Sequence, residues 1–233
     1  MTRARRAAEI LQKLRSVYPD AHCELDHQDA FQLLVATILS AQCTDKRVNM
    51  VTPALFAKFP DARRMAAASQ EEVEDLVRST GFFRNKAKNI RAAAKVLAEK
   101  HEGDVPRELT ALTLLPGVGR KTANVVLGNA FGIDSGVVVD THVARLSQRL
   151  GLTKHKDPGK IEQDLMNVLP QEAWTIWSHL LISHGRRRCH ARNPKCATCE
   201  LAKICPFVRT ANAGTYRRLA YKEPRTFLAA PNR

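Results

Sequence analysis

Apolar residues recur at helical spacing along almost the whole chain, and single glycines and prolines cut that pattern into short pieces. The spacing predicts helices at about residues 4–17, 29–41, 45–58, 69–80, 84–101, 108–115, 119–131, 140–150, 157–169 and 171–184. Ser69-Gln70-Glu71-Glu72 is a capping box, in which serine and glutamate satisfy each other's backbone amides, and Gly81 follows as a C′ residue. Asp157-Pro158 is an N-cap followed by proline at the first helical position. Gly103, Gly132, Gly151 and Gly185 mark other helix ends. The one strand-like run, Val137-Val138-Val139, is too short to imply a sheet. The expected fold class is all-α with short connections.

A chain of 233 residues supports one or two domains with a sizeable core. Its 37 Lys and Arg against 23 acidic residues leave a formal charge of +14. That excess suits a polyanionic partner bound in a salt-dependent way. No apolar stretch reaches the roughly 18–20 residues that span a membrane; the longest lies around Leu33–Leu39. No apolar core follows the basic start at Arg3, Arg5 and Arg6, so no secretory signal is expected. These features lead to the expectation of an intracellular chain whose thiols stay reduced.

Composition changes after about residue 184. Four of the six cysteines, Cys189, Cys196, Cys199 and Cys205, follow the spacing C-x6-C-x2-C-x5-C among many basic residues. Four thiolates so close in sequence suit an iron–sulfur cluster or a structural zinc ion. Zinc sites more often use two C-x-x-C knuckles, and only one is present, which favours iron–sulfur. The expected role is structural: the metal orders a loop too polar to fold by itself. Cys23 and Cys43 are read as small buried hydrophobes.

The segment Leu114-Leu115-Pro116-Gly117-Val118-Gly119-Arg120-Lys121-Thr122-Ala123 reads as a helix end, a Gly-rich turn and a new helix. Gly117 and Gly119 tolerate positive φ and let a phosphate approach the backbone. The new helix adds the positive end of its dipole. An ordinary turn between helices shares this punctuation. A nucleotide-binding P-loop does not fit, because Leu115 and Arg120 stand where its glycines belong. Nineteen residues after Lys121 comes Asp140-Thr141-His142, where Asp140 or Thr141 caps a helix. Lysine and aspartate together form a chemical pair. An amine made nucleophilic by burial and helix dipoles attacks carbon, and a carboxylate accepts a proton or stabilises an oxocarbenium-like transition state.

Together these blocks resemble the endonuclease III family of helix-hairpin-helix DNA glycosylases over about residues 5–208. The matching blocks are Leu39-Ser40-Ala41-Gln42-Cys43-Thr44-Asp45, Leu115–Asn124, Val139-Asp140-Thr141-His142 and the four-cysteine loop. The resemblance implies two helical domains flanking a DNA-binding cleft. One is a six-helix domain over 23–134; the other joins 1–22 to 135–208 and holds a [4Fe–4S] cluster on Cys189, Cys196, Cys199 and Cys205. A basic mobile tail at 209–233 follows. Lys121 would attack C1′ of a flipped, oxidised pyrimidine nucleotide with help from Asp140, and β-elimination would then break the strand. Leu115, Gly117, Val118 and Gly119 would grip a phosphate, Gln42 and Phe82 would enter the duplex, His142 would line the site, and Arg192 and Lys195 would meet phosphates. Phe82 stands where the family often has leucine. Asn193 stands where it often has a basic residue, which leaves Arg192 and Lys195 to supply the charge. The implied partner is double-stranded DNA with damaged bases or abasic sites, met by a monomer in the cytoplasm, at the nucleoid, with no membrane partner. Two other readings are an adenine or mismatch glycosylase without lyase activity, which usually lacks a lysine at the hairpin, and a non-catalytic DNA-binding module.

Overall fold

The computed structural model describes residues 1–210. Its helices are α1 (Arg3–Val17), α2 (Ala30–Leu39), α3 (Asp45–Lys58), α4 (Ala62–Ala67), α5 (Gln70–Val77), α6 (Phe83–Lys100), α7 (Leu109–Thr113), α8 (Arg120–Phe131), α9 (Thr141–Arg149), α10 (Pro158–Met166), α11 (Trp174–Arg187) and α12 (Pro206–Thr210). Short 3-10 turns sit at Arg78–Thr80, Gln171–Ala173 and Cys196–Thr198. No strand occurs among the described residues. The tail expected from residue 209 lies, from residue 211 on, outside the described residues.

Capping chemistry sets most helix starts. Thr2, Asp29, Thr44, Asp61, Ser69, Asp140 and Asp157 each accept a backbone N–H of the first turn through a side-chain oxygen. The capping box at Ser69 and Glu72 is complete, and Pro158 opens α10. Helix α4 lies in a stretch read from sequence as a connection. The Asp61 cap and the burial of Ala62 and Met65 make it helical despite its six residues.

The chain forms two compact units. One comprises Asp20–Val138 and Leu169–His179; the other comprises Met1–Pro19, Val139–Val168 and the described residues from Leu180 on, so the division falls within α11. The first unit holds seven α-helices, α2–α8, where six were expected over 23–134. Its core is a continuous cluster that includes Leu33, Leu39, Leu55, Met65, Ile90, Leu97, Leu112 and Leu127. Helix α2 is buried at Phe31 and at every position from Leu33 to Leu39. It is apolar almost all round and runs as the buried centre of this unit.

The sequence division assigned residues 169–179 to the cluster domain, whereas packing joins them to the other unit. Asp134 is the reason. Its carboxylate accepts from Thr175 N at 2.8 Å and from Thr175 Oγ1 at 2.5 Å, and its carbonyl accepts from Gln171 Nε2 at 2.9 Å. Gly128 admits Thr175, since a Cβ there would lie 2.3 Å from Thr175 Oγ1.

The second unit buries Ile10 and Leu14 of α1, Leu146 of α9, Ile161 and Leu165 of α10, and Leu180 and Leu181 of α11. Arg6 fastens α1 by donating to the carbonyls of Leu150 and Gly151, at 3.4 and 3.1 Å.

Candidate functional site

The hairpin between α7 and α8 is built by burying its apolar side chains. Leu115 and Val118 are 3% and 6% exposed, and Leu115 N and Val118 N donate to Leu112 O and Leu115 O, each at 3.1 Å. Their side chains therefore anchor the turn, and what it offers a ligand is backbone. Gly117 takes φ +76°, and a Cβ there would lie 2.7 Å from Asn89 Cβ, so a side chain is excluded twice. Gly119 does not take the positive φ anticipated for it. It is an extended N-cap, φ −92°, with no side-chain cap bond. No side-chain oxygen caps α8 at Gly119, and the positive end of its dipole is where an anion would be favoured. Leu114 is 83% exposed beside this turn, a feature the helical pattern did not signal.

Lys121 follows in the first turn of α8 and is solvent-exposed. The burial expected to activate its amine is not provided by the folded chain. Asp140 belongs to the other unit. It caps α9, with Val143 N donating to Oδ1 at 2.7 Å, and is half-buried. His142 is the second residue of α9, its Nδ1 at 3.2 Å from Arg145 Nη2. It fits against α11 because residue 185 is glycine: a Cβ there would lie 2.5 Å from His142 Nδ1.

Gln42 and Phe82 are both exposed, Phe82 by 67%. Both occupy left-handed backbone, with φ 53° and 46°. Such a conformation costs a bulky residue about 1–3 kcal/mol and persists where surrounding structure dictates it. Arg78 and Arg84 stack their guanidinium groups on the neighbouring Phe83 ring, 5.2 and 5.3 Å from its centroid. One phenyl ring is therefore held while the next is displayed.

Cys189, Cys196, Cys199 and Cys205 line one cavity together with Arg149 and His184, and none is in a disulfide. Arg149 is almost fully buried. Its Nη1 donates to Cys189 Sγ at 3.2 Å and to His190 O at 2.7 Å, its Nη2 to Ala191 O at 2.9 Å, and its guanidinium lies 4.7 Å from the Phe207 ring centroid. Leu201 N donates to Cys199 Sγ at 3.4 Å. His184 Nε2 is 3.5 Å from Cys199 Sγ, and its Nδ1 is 3.0 Å from the Tyr18 hydroxyl. Burial lowers the His184 pKa to about 4. Burial, aided by the nearby Cys189 and Cys205 thiols, pushes the Cys199 thiol up to about 11, and burial also raises Cys205.

Four thiols gathered in one cavity, with Cys199 and Cys205 raised by burial, suit a cationic centre that favours the thiolate. Among the described residues, no three His, Cys, Asp or Glu groups meet in the geometry of a single metal ion. A shared cavity with N–H donors aimed at two of the sulfurs fits the broader iron–sulfur cluster. Sequence reading missed Arg149 and His184. Their only signal was a basic residue on an otherwise buried helix face. Arg192 and Lys195 are exposed on the same loop.

The model of the HhH-GPD superfamily of base excision DNA repair proteins matches residues 35–171. The model described as the iron-sulfur binding domain of endonuclease III matches residues 189–205. Endonuclease III of Synechocystis sp. is 58% identical over 205 residues, covering 88% of this chain and 94% of that protein. Endonuclease III of Bacillus subtilis is 46% identical over 196 residues, covering 84% and 89%. A trapped endonuclease III–DNA covalent intermediate superimposes with a TM-score of 0.84 at 44% identity, covering 90% of this chain and 99% of that one. The chain belongs to the endonuclease III family of the HhH-GPD superfamily. The cluster of this family is [4Fe–4S].

Proposed function

We propose that this chain excises oxidised pyrimidines from duplex DNA as a glycosylase and then cuts the strand as an abasic-site lyase, with Lys121 as nucleophile and Asp140 as its partner. One observation carries the residue assignment. Lys121 is an exposed amine on an uncapped helix start, directly after a turn that buries its apolar side chains and displays its backbone. A relative of 44% identity has been trapped covalently on DNA.

Phosphate would sit on the Gly117–Gly119 turn and the first amides of α8, where the helix dipole favours an anion. The flipped nucleotide would bring C1′ to Lys121 and exclude water, supplying the desolvation that the exposed amine lacks in the free chain. The Lys121 nitrogen then forms a bond to C1′ as the C1′–N bond breaks, and the base leaves with the electron pair and takes up a proton. The carboxylate of Asp140 stabilises the positive charge that develops on the sugar. Opening of the sugar gives a protonated Schiff base. Loss of a proton from C2′ and departure of the 3′ phosphate break the C3′–O bond.

Gln42 and Phe82 fill the space vacated by the base, and His142 lines the site. Arg192 and Lys195 meet phosphates. Cys189, Cys196, Cys199 and Cys205 hold the [4Fe–4S] cluster, which when bound supplies structural ligation of the loop. The protein acts as a monomer on DNA in the cytoplasm, and sedimentation at working concentration tests that state. No helix among the described residues is long and apolar enough to cross a membrane.

Borohydride trapping on duplex DNA with an abasic site tests the mechanism. The wild-type chain forms an adduct and Lys121→Ala forms none; failure of the wild type to trap sinks the proposal. Asp140→Asn keeps a competent helix cap, so it folds and binds DNA but loses most base excision. Undiminished excision by that variant removes Asp140 from the chemistry. DNA affinity falls steeply with salt as the +14 charge engages phosphates.

A further inference from the structure

Lys86 is a charged residue in the interior of the α2–α8 unit, only 5% exposed. Burying an ammonium group is costly unless its donors are met. Its Nζ donates to Leu39 O and to Thr80 O, both at 2.8 Å. Leu39 is the last residue of α2, and Thr80 is the last residue of the 3-10 turn after α5. Both acceptors are therefore terminal carbonyls, the groups that a helix leaves without an internal partner and where its dipole is negative. The amine takes two helix-end carbonyls in place of a carboxylate.

Those two ends lead to the same kind of structure. Three residues beyond Leu39 the backbone turns left-handed at Gln42, and two residues beyond Thr80 it turns left-handed at Phe82. Both side chains are exposed. The segments are distant in sequence, and Lys86 bonds the chain just ahead of each.

We infer that Lys86 is a positioning residue that ties the Gln42 and Phe82 turns together, so that the two side chains enter the duplex as one preset element. The inference rests on the reading of Gln42 and Phe82 as the residues that replace the extruded base. A single internal cation, bonded to two carbonyls, fixes the distance between the two turns without occupying the surface that meets DNA. Lys86→Met keeps an unbranched chain of similar length and deletes the tie.

The test compares single-turnover excision from a lesion duplex with Schiff-base trapping on single-stranded abasic DNA, where no base is extruded from a stack. In Lys86→Met the ratio of duplex rate to single-strand rate falls by about tenfold to a hundredfold, the scale of a misplaced contact. In a Gln42→Ala/Phe82→Ala background, Lys86→Met lowers that ratio no further. An unchanged ratio in Lys86→Met, or a full additional loss in the double-variant background, overturns the inference.

The double variant alone separates the two ideas. If it excises at the wild-type rate, the wedge reading falls and the tie falls with it. If it is slow while Lys86→Met is normal, only the tie is rejected. Hydrogen exchange of the wild-type protein needs no variant to fold. Amides 41–43 and 81–83 are expected to open together; independent opening overturns the tie.

Discussion

The unit built on α2–α8 closes over leucines, isoleucine and methionine that are sealed from water, whereas between Cys189 and Cys205 only Leu201, Ile204 and Cys205 are buried. Each fully buried large apolar side chain contributes about 1.5–3 kcal/mol. Ordering backbone costs about 1–2 kcal/mol per residue. The helical unit meets that cost with its own core. The cysteine segment has too few apolar groups to do so; buried Arg149 donates into it, and His184 lies against Cys199 Sγ. One chain therefore pairs a unit built by solvent exclusion with a cysteine segment, matched by the iron-sulfur binding domain of endonuclease III, that is too polar to form such a core.

The largest test of this contrast is removal of the ligands. Cys199→Ala is expected to abolish the visible absorption of the cluster and to leave amides between 189 and 205 exchanging freely, while α2–α8 keep their protection. Retained protection in the cysteine segment would break the comparison. Next in size, Leu127→Ala empties a fully buried site and should cost about 2–5 kcal/mol in denaturant unfolding, with cluster absorption per folded molecule unchanged.

A smaller effect is expected from Arg149→Ala, which removes charge-assisted bonds to Cys189 Sγ and to the loop carbonyls. The cost is about 1.5–3 kcal/mol, read as faster loss of the cluster to a chelator. The smallest belongs to a cap: Ser69→Ala should cost about 1 kcal/mol.

The Glu72 carboxyl at that cap is held down to about 2 by Lys58 first and then by Ser69. Its folded pKa lies below the unfolded value, so its stabilisation is present above about pH 4.3 and is lost as pH falls through about 2. Replacing Lys58 by Met should flatten stability over that acid window, and an unaltered acid limb would remove the pair from it.

Much of the fold was legible in the chain. Helical periodicity located nearly every helix, and Ser69, Asp157 and Pro158 do what their side chains predict. The short helix α4 was missed because its signal is a single cap and two apolar contacts. The place of residues 169–179 was missed because one aspartate, Asp134, draws them in through long-range bonds. In the candidate site, cysteine spacing and the Gly117–Lys121 segment were readable because they are local. The exposure of Lys121, the anchoring burial of Leu115 and Val118, and the work of Lys86, Arg149 and His184 were not.

By itself the sequence determined that the chain is helical, basic, cut into short elements, and furnished with one turn that displays its backbone and one set of four thiols. These follow from local rules, namely period, caps, glycine freedom and spacing, which act between near neighbours. Only tertiary structure decided which polar groups are buried and whom they meet. A lysine in α6 reaches two helix-end carbonyls, and an arginine in α9 reaches a thiol forty residues away. Burial and partnership depend on the packing of distant segments, and that is where the energetic weight of a charged side chain is set.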